Sequence, residues 1–219
     1  MGVIGVAGTV FSAIGFLVRY SFLQALDLRV TRDLQKKKSP LLEPVMEGFT
    51  ISGSPMVIPV LGGTVAIILW RSALPRAAGF VVFSLVAIPI TIGMKTFWDR
   101  ERPDARIVNV AVRTAGTSFP SGHAMGATAF YGALAALAWI HLDPRRKRLP
   151  LTLSLTSMPM FIGISRIYLG AHWLSDVVGG WAMGTFILLP LVRWYLVGIP
   201  AEVATQAALK GEAALTPRV

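Results

Sequence analysis

The chain has 219 residues, of which 54% are hydrophobic and only 15% charged. Soluble domains carry about a quarter charged residues, so this composition excludes an intrinsically disordered chain and argues against a water-soluble globule, because too little polar sequence remains to cover a surface. The 21 Lys+Arg against 11 Asp+Glu leave a formal charge of +10, which asks for an anion nearby: nucleic acid, lipid headgroups or a phosphorylated substrate.

Six apolar stretches, each of about 16 to 20 residues, approach the length that crosses a hydrocarbon core of roughly 30 Å. They fall near 3–26, 55–70, 77–94, 124–142, 149–164 and 177–196. The first is interrupted by Arg19, which can snorkel to the headgroups. It lacks a basic leading region and a small-residue cleavage site, so it reads as a retained helix. Between the first two spans, residues 27–53 are polar, with Lys36, Lys37 and Lys38 in a row and Leu28, Val30, Leu34, Leu41 and Leu42 scattered through them. That pattern predicts helices lying along the interface. A second long connection, 95–119, is rich in charge and turn residues, whereas 71–76, 143–148 and 165–176 are short. The expected fold is therefore an all-α bundle of six transmembrane helices with interfacial helices between spans one and two. Residues 1–200 form its single domain and 201–219 a loosely ordered cytoplasmic tail.

With six spans, alternation puts connections 27–53, 95–119 and 165–176 on one side. The turns 71–76 and 143–148 share the other with the tail. The basic turn Arg145, Arg146, Lys147, Arg148 marks that second side as cytoplasmic. The lysine run at 36–38 argues the opposite way.

Three segments on the first side carry chemistry. Span three ends in Lys95-Thr96-Phe97-Trp98-Asp99-Arg100-Glu101-Arg102-Pro103, span four opens with Pro120-Ser121-Gly122-His123, and spans five and six are joined through Ser165-Arg166, His172 and Asp176. Lys95, Arg102 and Arg166 supply three cations, two of them planar forks suited to a tetrahedral oxyanion. Ser121 and Gly122 sit where a helix begins, so free amide donors face the same anion. His172 and Asp176, four apart, share a helix face if span six begins near Ala171. The carboxylate then accepts one ring N–H and leaves the other nitrogen as a nucleophile. His123 is the other available proton carrier. The set suits phosphoryl transfer through a phosphohistidine.

At these residues the sequence resembles the type 2 phosphatidic acid phosphatase superfamily, which includes bacterial lipid phosphatases, glucose-6-phosphatase and vanadium haloperoxidases. The family signatures Lys-x6-Arg-Pro, Pro-Ser-Gly-His and Ser-Arg-x5-His-x3-Asp read here as Lys95 to Pro103, Pro120 to His123 and Ser165 to Asp176, with no departure. The resemblance implies that Lys95, Arg102, Ser121, Gly122 and Arg166 bind phosphate, that His172 attacks phosphorus oriented by Asp176, and that His123 serves as acid and then as base. It implies no cofactor and no metal. The expected partners are a lipid phosphate and the membrane, and no nucleic acid. The expected setting is a bacterial inner (plasma) membrane, with the site on the extracytoplasmic face and the termini cytoplasmic.

Undecaprenyl diphosphate, phosphatidylglycerol phosphate and phosphatidic acid are the substrate types so implied. Phosphotransfer to another acceptor, vanadate-dependent halide oxidation and a non-enzymatic lipid-binding or transport role stand as alternatives. The haloperoxidases of the superfamily are soluble, which disfavours the second, and the intact motifs disfavour the third. With no cysteine, thiol catalysis and disulfides are excluded, and three histidines leave little room for a histidine-rich metal site. Arg19, Arg71, Arg76, Arg113 and Arg193 read as interfacial anchors and His141 as an interface residue. Asp99, Glu101 and Asp104 read as solvated loop pairs, with Arg100 the exception. Gly163, Gly170, Gly179, Gly180 and Gly184 read as sites of close helix contact.

Overall fold

A computed structural model describes residues 2–37, 39–112, 114–142 and 145–209. Among them the chain is helical and no strand forms. The order is α1 (Gly2–Arg19), α2 (Gln24–Gln35), α3 (Leu42–Ser52), α4 (Val57–Arg71), α5 (Pro75–Ser84), α6 (Ala87–Trp98), α7 (Gly122–His141), α8 (Arg145–Tyr168) and α9 (Leu174–Leu209).

The bundle is built around α7. Its run of small residues, Ala124, Gly126, Ala127, Ala129, Ala133, Ala135 and Ala138, is buried and lets α8 and α9 pack closely on it. Gly180 of α9 meets the start of α7 so closely that a Cβ there would stand 2.7 Å from the Ser121 carbonyl oxygen. Phe80, Val81, Phe130, Tyr131, Leu137, Ile162 and Tyr195 form the main core, with the Phe80 and Tyr195 rings stacked at 4.9 Å. Outward-facing Phe16, Val60, Ile67, Ile68, Phe83, Ile92 and Val197 are exposed, as expected where the solvent is lipid and helices close their own backbone bonds.

The span count differs from the expected six. Among the described residues four helical stretches are long and apolar enough to cross a membrane: Gly2–Arg19, Pro75–Trp98, Gly122–His141 and Leu174–Gly198. A fifth arises if α3 and α4, bent by 55° at 53–56, count as one broken span. Thus α3, expected to lie along the interface, is continuous with the second apolar stretch through a Gly53-Ser54-Pro55 break. The expected fifth span lies in α8, whose 24 residues give about 36 Å of helix at 1.5 Å per residue. Its apolar character is diluted by Thr152, Ser154, Thr156, Ser157 and two internal prolines, Pro150 and Pro159. At the other end of the chain, α9 continues past Pro200 to Leu209, into the segment read as tail. Residues 210–219, with Lys38, Arg113, Asp143 and Pro144, lie outside the described residues.

The two ends of the bundle are chemically distinct. At one end Arg76 lies over the Trp194 ring at 4.2 Å, Arg148 over the Trp139 ring at 4.3 Å, and His141 bonds the Tyr195 hydroxyl at 2.5 Å. Arg76 and His141, read as interface residues, are thus packed on a neighbouring helix. The three motif segments meet at the opposite end.

Candidate active site

Each motif is set in place by a local device. Helix α6 stops at Asp99, which takes the left-handed conformation (φ 41°) as its C-cap and turns the chain back across the end of the bundle. Ser121 is the N-cap of α7, and its backbone N–H donates to the Asp176 carbonyl at 3.0 Å, tying the second motif to the third. After α8, Gly170 has φ +70°, and a Cβ there would stand 2.1 Å from the Asn109 carbonyl oxygen. Only glycine lets the 109–112 segment lie against this turn. The segment is held there by bonds from the Ala111 and Val112 amides to the Leu169 carbonyl, at 3.0 and 3.3 Å.

The sequence-selected residues converge. Lys95, Arg102, Gly122, His123, Arg166 and His172 line one cavity of about 340 Å³. Its remaining wall is mostly apolar, made by Gly53, Pro55, Ile58, Ile88, Ile92, Ala115 and Gly126 with Thr91 and Thr114. Charge and hydrocarbon therefore share one chamber, at the α3–α4 break and beside α6. Ser121 stands at the start of α7, fully buried, and Asp176 lies behind His172.

His172 is held from both sides. Its Nδ1 lies 3.4 Å from both Asp176 Oδ2 and Ser118 Oγ, long for hydrogen bonds, as resting active-site contacts often are. The opposite nitrogen, Nε2, faces the cavity and accepts from Arg102 Nη1 at 3.2 Å. A guanidinium only donates, so this contact assigns the proton to Nδ1 and a lone pair to Nε2. Burial pushes the His172 pKa down from its ordinary value of 6.5 to about 3, against the Asp176 carboxylate, which acts upward. The ring is therefore neutral at pH 7.

The cations differ in how far they are already engaged. Arg102 also donates to the carbonyls of Ala171 and Gly116, both at 2.8 Å; burial lowers its pKa, but a guanidinium stays charged. Lys95 Nζ donates to the Thr117 carbonyl at 2.5 Å. Arg166 is 1% exposed, and its Nε and Nη2, like the Ser121 Oγ, are buried with no hydrogen-bond partner. Buried donors without acceptors are costly. Arg166 lines the cavity, and Ser121 caps the helix whose first residue, Gly122, lines it too.

Sequence reading missed the support behind Asp176. Ser118 Oγ donates to Asp176 Oδ2 at 2.5 Å, and the Trp173 amide donates to the same oxygen at 2.8 Å. Arg100, whose exceptional place was legible within the first motif, donates to Asp176 Oδ1 and to Asp27 Oδ2, each at 2.6 Å. Asp27, on α2, carries no sequence signal beyond an acidic residue beside an apolar span. Asp104, by contrast, does pair in an exposed loop, with Arg106, and is held down to about 2 by that neighbour's hydrogen bond. Among the described residues no group of three His, Asp or Glu is arranged to hold a metal ion.

The sequence model described as the PAP2 superfamily matches residues 77–198, which include all three motifs. Phosphatidylglycerophosphatase B of Bacillus subtilis (strain 168) is 26% identical over 191 residues, 84% of this chain and 90% of that protein. Decaprenylphosphoryl-5-phosphoribose phosphatase of Mycobacterium tuberculosis (strain ATCC 25618 / H37Rv) is 38% identical over 134 residues, 58% of this chain and 68% of that one. The crystal structure of a transmembrane PAP2 type phosphatidylglycerolphosphate phosphatase from Bacillus subtilis shares the fold. Its TM-score is 0.78 at 24% identity, over 91% of this chain and 98% of that one.

Proposed function

Because the chain belongs to the PAP2 superfamily and is an integral membrane phosphatase, we propose that it hydrolyses a lipid phosphomonoester or diphosphate through a phosphohistidine on His172. The observation that carries this reading is a pair of buried groups with no hydrogen-bond partner, Arg166 in the wall of the cavity that His172 also lines and Ser121 next to Gly122 of that wall. A phosphoryl group there accepts from both, from Arg102 and Lys95, and from the Gly122 amide, which as a first-turn N–H has no acceptor within its helix.

In this reading His172 Nε2 attacks phosphorus while the bond to the leaving oxygen breaks, and that oxygen takes a proton from His123, which is protonated once the phosphoryl anion is bound beside it. The cations and the start of α7 hold the non-bridging oxygens as charge redistributes. Asp176, fixed by Ser118 and Arg100, receives the Nδ1–H as the ring becomes cationic. His123, now neutral, draws a proton from water, whose oxygen displaces the N–P bond. Inorganic phosphate leaves, and His172 and His123 return to their starting states. No step draws on a metal ion or cofactor.

The substrate is of the undecaprenyl diphosphate, phosphatidylglycerol phosphate or phosphatidic acid type. The apolar wall of the cavity supports a long hydrocarbon, and the names of the two relatives pair phosphatase activity with a glycerophospholipid and with a prenyl lipid. Residues 1–200 are the single catalytic domain, with α8 as the fifth of six spans in chain order. Its length supports this, as does its packing on α7 and α3. The protein sits in a bacterial inner membrane with its termini cytoplasmic and its site on the outer face. The basic residues Arg146, Lys147 and Arg148, at the end away from the motifs, support that orientation. The +10 serves phosphate and membrane, and nucleic acid is no partner.

The test is phosphate release from a panel of these lipids with EDTA present. Wild type is expected to release phosphate from at least one and His172→Ala from none; full activity in that variant rejects His172 as nucleophile. Labelled lipid distinguishes free phosphate from phosphorylated acceptor, the product of the phosphotransferase alternative.

A further inference from the structure

Two buried carboxylates face one guanidinium behind the site. Asp27 is 2% exposed and Asp176 is fully buried, and Arg100 reaches them with different nitrogens, Nη2 to Asp27 and Nη1 to Asp176, each at 2.6 Å. Ser175 completes the set. Its amide donates to Asp27 Oδ1 at 2.9 Å and its hydroxyl to Oδ2 at 2.6 Å, while that hydroxyl accepts from Arg100 Nη1 at 2.7 Å. Both Asp27 oxygens and Asp176 Oδ1 are thereby engaged, and Asp176 Oδ2 is held by Ser118 and the Trp173 amide. The arrangement bridges α2, the 99–104 connection and the first turn of α9.

We infer that Asp27 and Arg100 are positioning residues that fix which oxygen of Asp176 meets His172, so that α2 is part of the catalytic apparatus. The inference rests on the reading of His172 as nucleophile. Asp176 Oδ1 is taken by Arg100, which leaves Oδ2 to Ser118, the Trp173 amide and His172. A carboxylate free to rotate would offer His172 a choice of oxygens and a loose acceptor.

Asp27 performs the matching task for Arg100. Unheld, this guanidinium borders the neighbouring polar cleft, lined by Arg19, Gln24, Asp99, Glu101, Asp104 and Arg106 among others, and could turn into it. Helix α2 is itself clamped on this end of the bundle. Gln35 donates to the Asn109 and Tyr168 carbonyls at 2.7 and 3.1 Å, and Arg32 donates to the Ile107 carbonyl. Asp27 is thus presented by a braced helix.

Electrostatics gives the network a signature that scaffolding lacks. His172 faces Arg102, Arg166, Lys95 and His123 across the cavity, with Asp176, then Arg100, then Asp27 behind it. Removing the Arg100 charge raises the proton affinity of the His172–Asp176 pair, titrating as a unit. Removing the Asp27 charge lowers it. The acid limb of activity is expected to move in opposite directions in the two variants.

The experiment compares wild type, Arg100→Gln, Arg100→Lys, Asp27→Asn and His172→Ala on dioctanoyl phosphatidic acid and farnesyl diphosphate. Inhibition by inorganic phosphate reports whether the phosphate-binding side of the site is intact. Arg100→Gln is expected to lose roughly 10- to 100-fold in kcat, the range found when partners that orient a reactive imidazole are removed, with KM and the phosphate inhibition constant changed by less than about twofold. Asp27→Asn is expected to lose less, and Arg100→Lys to recover part of the loss. Wild-type kcat in Arg100→Gln overturns the inference. So does a loss in which phosphate inhibition disappears as well, since that marks a general collapse. Inactive wild type, or an active His172→Ala, defeats the phosphohistidine reading instead.

Discussion

His172 Nε2 and Arg102 Nη1 are 3.2 Å apart, so the nucleophilic lone pair is occupied by one of the cations meant for phosphate. An arriving phosphoryl group has to take over that donor before nitrogen can reach phosphorus. In the proposed reaction Arg102 therefore guards the nucleophile at rest and joins the oxyanion when substrate binds. Arg102→Ala is expected to raise KM and lower kcat by about 10²–10³-fold, the usual loss for one such donor, while leaving Nε2 more accessible to diethylpyrocarbonate. Slower modification of His172 in that variant, followed by peptide mass spectrometry, contradicts the guarding contact.

Burial sets the pH response of His172. With a folded value of about 3 against an ordinary 6.5, the ring binds its proton more readily in the unfolded chain. Stability from this group is fully present above pH 6.5 and is lost as pH falls toward 3. Thermal unfolding in detergent is expected to show a falling Tm across that window and a shallower fall in His172→Asn. Equal slopes in the two proteins exclude a buried neutral imidazole.

Arg166 bears a tension between stability and activity. An unpaired buried guanidinium is costly, so Arg166→Met is expected to keep or raise the Tm of the ligand-free protein while abolishing stabilisation by phosphate. Wild type is expected to gain about 2.7 kcal/mol at phosphate 100-fold above its Kd. Phosphate protection that survives in Arg166→Met removes this residue from the cradle.

Ser118 and Gly180 test the support of the site. Ser118→Ala deletes one donor to Asp176 Oδ2 and is expected to cost about 1 kcal/mol or more of transition-state stabilisation, read as a fall in kcat with KM nearly constant. Gly180→Val forces atoms against the Ser121 carbonyl and is expected to destabilise by about 1–3 kcal/mol, with phosphate affinity falling too because the start of α7 is displaced. A loss of stability with unchanged phosphate binding separates that contact from the site.

The motifs were legible because spacing and order bring Lys95, Arg102, Ser121, Gly122, His123, Arg166, His172 and Asp176 to one end of an alternating bundle, where six of them line one cavity. The all-helical fold was equally readable from stretches of apolar sequence. The number of crossings was less so, because α8 carries polar residues that pack internally and α3 joins α4 across a bend that composition does not reveal. Asp27 illustrates the deeper limit. Its partners Arg100 and Ser175 lie 73 and 148 positions away, and only tertiary packing turns an acidic residue on a polar helix into a fully bonded buried one. Of the lysine run at 36–38, Lys36 pairs with Asp33 at an exposed surface, where such pairs contribute little.

The mixed lining of the cavity has a consequence for what the enzyme ignores. A water-soluble phosphate ester can satisfy Arg166 and Ser121 but leaves Ile58, Ile88 and Ile92 without hydrocarbon to cover them. An uncharged lipid does the reverse. Under the proposed function, only a molecule whose anion and chain lie within a few bonds of each other fills both walls at once, so the chamber selects by where a substrate's polarity changes.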